Sequence, residues 1–114
     1  MQDNPTSRQD YIRRILDVYR TTPTTAGHIR RQDRTLAGQL YDQGVPFTAV
    51  VNALALAAAR RIFRPENAPP LDPVRSLHYF RDVIDEVMRS TVSEDYFEYL
   101  RRKIDKHRDM KTSR

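Results

Sequence analysis

The chain has no cysteine, no tryptophan and only three glycines in 114 residues. Without cysteine there are no disulfides, no thiol chemistry and no Cys-ligated zinc, and an intracellular, cytoplasmic setting is the expectation. No Gly-rich phosphate loop, nucleophile–base pair or paired-acid motif is present, so nothing in the sequence calls for an enzyme or a cofactor. Strand-like alternation is missing throughout. So is a membrane span: the longest apolar run, Val45 to Ala59, is interrupted by Thr48 and Asn52 and falls short of the roughly 20 residues needed. Met1 to Asp10 is polar and cannot serve as a signal peptide. No membrane contact is expected.

What is present is charge, unevenly placed. Apolar residues make up 39% and charged residues 31% of the chain, which fits one globular domain. Arg101 to Arg114 holds seven bases and two acids; the chain totals are twenty and fifteen, leaving thirteen of each in residues 1–100. The whole net charge of +5 therefore sits in the last fourteen residues. A neutral body with a basic end suits an anionic partner, either a nucleic-acid phosphate backbone or an acidic protein surface. Seventeen of the twenty bases are arginine, and all three lysines (Lys103, Lys106, Lys111) lie in the tail. Arginine favours phosphate contacts, although a GC-rich genome produces the same bias.

The periodicity is helical. Tyr11, Ile12, Ile15, Leu16 and Tyr19 make one face of a first helix, about Ser7 to Thr21, capped by Thr6 or Ser7 and ended by Pro23. Leu36, Ala37, Leu40 and Tyr41 stripe a second, about Gln32 to Gln43, with Gly44 as its left-handed cap. Pro46 opens a third that reaches about Arg64. Its stripe of Phe47, Val51, Leu54, Ala55, Ala58 and Ile62, with Leu56 and Phe63 on another side, predicts burial on two faces. Pro65 to Pro73 is a stiff connection. A fourth helix is expected from about Pro73 to Ser90, buried through Leu77, Phe80, Val83, Ile84, Val87 and Met88. Thr91 and Glu94 have capping-box spacing, with Ser93 a rival cap, and open a fifth helix. Its core residues are Tyr96, Phe97, Leu100 and Ile104, and its apolar stripe stops near Ile104. The expected fold is all-α, a compact bundle of about five helices: residues 1–104 form one helical domain and 105–114 a basic C-terminal helical extension.

Several features offer candidate sites. The tail bases Arg101, Arg102, Lys103, Lys106, Arg108 and Lys111 suit phosphate contacts, or they complement the negative end of a helix as an ordinary solvated face. Arg30, Arg31 and Arg34 form a second basic group at the start of the second helix. Leu40, Gly44 and Val50 have helix-turn-helix spacing, but the following helix presents Ala and Leu where base-reading side chains belong, so two packed core helices is the better reading. His78, Asp82 and Glu86 share a helix face at spacing that suits N and O ligation, a pattern common on solvated helices, so no metal is expected. Pro69, Pro70 and Leu71 read as a spacer.

Gly44 to Pro46, Ala53 to Arg61, Arg75 to Phe80, and Val83 with Ile84 resemble helical modules of bacterial plasmid, phage and mobile-element replication proteins. The DnaD-like helical domain is the nearest comparison, over residues 33 to 88. Its Tyr-Tyr-x3-Ile-x3-Trp stripe falls on His78, Tyr79, Val83 and Val87, of which Tyr79 matches, Val83 is conservative, and His78 and Val87 depart. The resemblance implies single- or double-stranded DNA binding and contacts with replication partners, with the basic C-terminal segment touching DNA and no catalysis. The functional expectation is a non-enzymatic nucleic-acid-binding module, a replication accessory of mobile DNA. The alternative is a protein-interaction or assembly module without nucleic-acid contact; a homo-oligomer is compatible with either.

Overall fold

A computed structural model describes residues 7–90 and 92–112, with side chains as far as Arg108. Among these residues the architecture is all-α: five helices, a 3₁₀ turn and no sheet. No helix among them is long and apolar enough to cross a membrane.

Helix α1 spans Arg8–Thr21. Ser7 caps it, its Oγ accepting the Asp10 N–H at 3.1 Å. Its 3.6-residue stripe buries Tyr11, Ile15, Leu16 and Tyr19. Helix α2 spans Arg31–Asp42 and ends in a Schellman motif. Gly44 supplies the positive φ of 77°, the Val45 N–H reaches the Leu40 carbonyl at 3.0 Å, and the Gly44 N–H reaches Tyr41 at 2.9 Å. Burial pushes the Tyr11 hydroxyl up to about 12, and it donates to the Val45 carbonyl at 2.8 Å, fixing the turn against α1. Gly38 meets a different need. A Cβ there would stand 2.5 Å from the Arg8 guanidinium, which crosses α2 to pair with Asp42 at 3.0 Å.

Helix α3, Phe47–Ile62, is the most buried element: nine of its sixteen residues are buried. Val50, Ala53, Leu54 and Ala57 join the main core with α1 and α2. Ala55, Ala58 and Ala59 face a second core, formed with Phe97, Leu100 and Ile104. The two-sided burial expected from the sequence is observed, with different membership. The sequence stripe grouped Leu54 with Ala55 and Ala58, but these fall on opposite sides. A run of alanines carries almost no directional signal, and the large partners of neighbouring helices decide which alanine faces which core.

The expected fourth helix starts later than its sequence suggests. Val74 is extended and bridged to the loop after α1: its N–H reaches Thr24 at 2.8 Å and its carbonyl takes the Ala26 N–H at 2.7 Å. Leu77–Phe80 then form a 3₁₀ turn, and α4 covers only Arg81–Arg89. The cause is a long-range contact. Asp33 is fully buried; its Oδ2 accepts the Arg30 N–H at 2.9 Å and its Oδ1 the Leu77 N–H at 2.9 Å. The Ser76 hydroxyl lies 3.4 Å from the same Oδ1 and also caps the turn, accepting the His78 N–H at 3.1 Å. A 3₁₀ turn advances roughly 120° per residue, against about 100° in an α-helix, so it rotates the helical phase. Leu77, Phe80 and Ile84 are buried, but Met88 is 48% exposed.

Helix α5, Glu94–Thr112, packs principally across α3. Burial of Phe97, Leu100 and Ile104 contributes about 1.5–3 kcal/mol each, which is ample to seat it. Tyr96, expected in the core, lies about a quarter-turn from that line and is 44% exposed. Thr91, the first of the two expected caps, lies outside the described residues.

Three substitutions at two positions test this architecture by thermal melting followed by circular dichroism. Ala58→Asp, placing an unpaired charge at a fully buried position, costs several kcal/mol; an unchanged melting temperature would place α3 at the periphery. Asp33→Ala strands one buried and one part-buried N–H donor and costs about 2–4 kcal/mol. Asp33→Asn keeps an acceptor and costs less. Equal losses for the two Asp33 variants would rule out this account of the carboxylate.

Candidate nucleic-acid interface

Helix α5 carries the tail bases, and its packing on α3 sorts them by direction. Arg101 points inward. Its guanidinium donates to Asn52 Oδ1 at 2.6 Å and to Glu94 Oε2 at 2.7 Å. Asn52, buried on α3, closes the ring by donating to Glu94 Oε1 at 3.0 Å. The hydrogen bond from Arg101, and then that from Asn52, holds the Glu94 carboxyl below its ordinary value of 4.5. Such a network ties α5 to α3 and helps fix the rotation of α5.

Arg102 and Lys106, one turn apart, are exposed and make no ion pair with a described carboxylate. Arg108 lies 3.7 Å from Asp105 on an exposed stretch. Lys111 belongs to the helix, but its side chain lies outside the described residues. Lys103 sits on the flank toward α3. Its ammonium stands 4.5 Å from the centre of the Phe63 ring and 5.9 Å from that of Tyr99. His107 is half-buried against Phe63, with ring centres 5.7 Å apart, so contact with the body reaches one turn beyond Ile104.

Arg30, Arg31 and Arg34 are exposed at the start of α2, again without a described carboxylate partner. Helix α2 packs on α1 and the 3₁₀ turn, whereas α5 packs on α3. The two expected basic groups are therefore carried by different parts of the fold. A third arginine group is structural. Arg60 grips Glu86 of α4 with both guanidinium nitrogens, one contact at 2.9 Å. Arg61 donates to the Asp72 carbonyl and, at 3.1 Å, to the Tyr79 hydroxyl. Arg64 donates to the Pro69 carbonyl at 2.7 Å. These forks hold the proline-rich connection, whose carbonyls have no helical partners.

The remaining candidates sort as follows. Helix α3 is buried on both sides and has no free face for a DNA groove. Glu86 is paired with Arg60, and no group of three or more His, Asp or Glu gathers for a metal among the described residues. An open hollow of about 570 Å³ lies beneath the connection; its lining includes Arg61, Arg64 and one carboxylate, Glu66, with no histidine.

One feature escaped the sequence reading. Phe63, Tyr96 and Tyr99 are 39%, 44% and 50% exposed and gather beside Lys103 along a groove between α3 and α5. The available signal was the spacing of Tyr96, Tyr99 and Lys103 on one helical flank. The helical period places Tyr96 in the apolar stripe, and the juxtaposition with Phe63 depends on how α5 crosses α3.

The Arg101 network has a measurable consequence. Arg101→Ala lowers the melting temperature, because it leaves Asn52 and Glu94 without their donor; Arg102→Ala leaves it unchanged. Glu94 has a depressed carboxyl pKa in the folded state, so its contribution is present above pH 4.5 and lost as pH falls through the folded value. The gap in melting temperature between wild type and Glu94→Gln therefore narrows with acidification below pH 4.5; a gap independent of pH would contradict the network. In comparisons with protein-family models, curated proteins and solved structures, nothing matches this chain.

Proposed function

We propose that this chain is a non-enzymatic nucleic-acid-binding module of the cytoplasm, holding phosphate along the outer face of α5 and serving as an accessory in replication of mobile DNA. One observation carries the reading. Much of the body's charge is spent in internal pairs: Arg8 with Asp42, Arg13 and Arg20 with Asp17, Arg60 with Glu86 and Arg101 with Glu94. Arg102 and Lys106, like Arg30, Arg31 and Arg34, have no such partner among the described residues, and the two face solvent from one helix. Cations arrayed this way bind phosphate by counterion release, without reading sequence. The buried α3 supplies no recognition helix, which agrees with non-specific binding. The resemblance of residues 33 to 88 to DnaD-like modules supports the replication role.

A second reading rests on a different observation. A hollow of about 270 Å³ is lined by Leu56, Val87, Val92, Tyr96 and Phe97 together with Ser90 and the paired Arg60 and Glu86, and its apolar part favours a protein-interaction or assembly module.

Fluorescence anisotropy with labelled duplex DNA at two salt concentrations separates the readings. Wild type binds at low salt, on the order of micromolar, and weakens steeply as salt rises. The triple variant Arg102→Ala, Lys106→Ala, Arg108→Ala removes at most three phosphate contacts, lowering the salt slope by about 2–3. Arg101 is left intact because its loss would disturb the fold. No binding at low salt, or the same slope for both proteins, favours the protein-interaction reading.

A further inference from the structure

The groove between the end of α3 and the flank of α5 is an aromatic surface on the phosphate-facing helix. It encloses about 300 Å³ and is lined by Leu56, Arg60, Phe63, Tyr96, Tyr99 and Lys103 among others, with no acidic residue. The Tyr96 and Tyr99 rings are 6.5 Å apart with planes tilted by 31°. Arg60 is committed to Glu86. Lys103 is thus the cation in this lining that has no carboxylate partner among the described residues, and its ammonium stands over both Phe63 and Tyr99.

Half-exposed aromatic rings gathered in one groove offer a surface on which an occupant with a flat apolar face can stack. A nearby lysine without a carboxylate asks for an anion within a few ångströms of that face. An unpaired nucleotide provides both, a base with a free π-face and a phosphate attached to it. A paired base does not, because its faces are covered by its neighbours in the stack. Arg102 and Lys106, on the next positions around the same helix, extend the cationic track along which the following phosphates would run.

Resting on the nucleic-acid reading above, we infer that this groove takes an unpaired base, stacked on Tyr99, with Lys103 holding the adjacent phosphate, so that the module prefers single-stranded over duplex nucleic acid. Base–aromatic stacking is sequence-tolerant and shared by DNA and RNA. The inference therefore names the unpaired nucleotide, and separate strands identify its source.

The experiment measures anisotropy of the full chain with a labelled oligodeoxythymidylate, an oligouridylate of equal length and a duplex of equal length. Wild type binds at least one of the single strands about tenfold more tightly than the duplex, as loss of one stacked base would predict. The tighter of the two identifies DNA or RNA. Tyr99→Ala removes that preference and leaves duplex binding and its salt slope unchanged, whereas Tyr99→Phe, which keeps the ring, retains it. Stacking is also read directly: with six tyrosines and no tryptophan in the chain, strand binding quenches tyrosine emission in wild type more than in Tyr99→Ala. Salt-dependent duplex binding with no single-strand preference, or with no effect of Tyr99→Ala, overturns this inference and leaves the phosphate reading standing. Absence of binding to every strand overturns both. If sedimentation shows self-association that Tyr99→Ala abolishes while strand binding persists, the groove belongs to a second copy and the inference falls.

Discussion

The fold depends on one buried carboxylate. Asp33 is fully enclosed, and a charge moved into the protein interior costs several kcal/mol unless its oxygens are satisfied. Here both are, by the N–H groups of Arg30 and Leu77. These donors belong to segments more than forty positions apart in the chain. Each is a backbone donor at the start of a helical turn, where no intrahelical acceptor exists. A single side chain thus serves as first-turn acceptor for two elements. It sets where the 3₁₀ turn begins, which in turn holds Val74 in reach of the loop after α1. The edge contact of Tyr19 with Phe80, ring centres 6.1 Å apart, lies in the same region. The influence of Asp33 is felt there too: the Tyr19 hydroxyl is raised by burial first and by the Asp33 charge second.

This dependence explains which parts of the structure the sequence made legible. Helices governed by their own periodicity and caps were readable: Ser7 before α1, Gly44 after α2 and the apolar line Phe97, Leu100 and Ile104 all act within a few residues of themselves. The two-sided burial of α3 was readable as well, because a stretch apolar all round has no other stable place. The start of α4 was not. The apolar pattern runs unbroken from Leu77 to Met88, and Asp33, distant in sequence, joins Ser76 in setting where the turn begins. In sequence Asp33 looks like one more polar residue near a helix start. Met88 and Tyr96 were misplaced for a related reason: a helical stripe shows direction only relative to its own axis, and neighbours decide where the edge of burial falls.

The candidate site divides along the same line. The concentration of bases after residue 100 is a property of composition and was visible at once. Which of those bases are engaged internally is a property of packing. Arg101 differs from Arg102 only by standing opposite Asn52, a polar residue buried inside an otherwise apolar helix. Nothing local to α5 announces that partner. The aromatic groove shares this character, since Phe63 and Tyr99 belong to different helices and meet only because α5 crosses the end of α3.

The division between arginine and lysine follows from their shapes. Arginine presents a planar fork of fixed donors and suits demanding internal geometry. It is used that way here, gripping Glu86 from Arg60, bridging Asn52 and Glu94 from Arg101, and tying the connection from Arg61 and Arg64. Lysine is a mobile, strongly hydrated point charge, poor at holding carbonyls in place but free to follow a phosphate. All three lysines occur in the final fourteen residues. The two with described side chains are exposed, one beside the aromatic groove and one on the outer face. A chain that needed its tail only to balance a helix dipole could have used either residue. Confining lysine to α5, whose outward cations Arg102 and Lys106 have no carboxylate partner among the described residues, separates groups that build the body from groups left free to contact a partner.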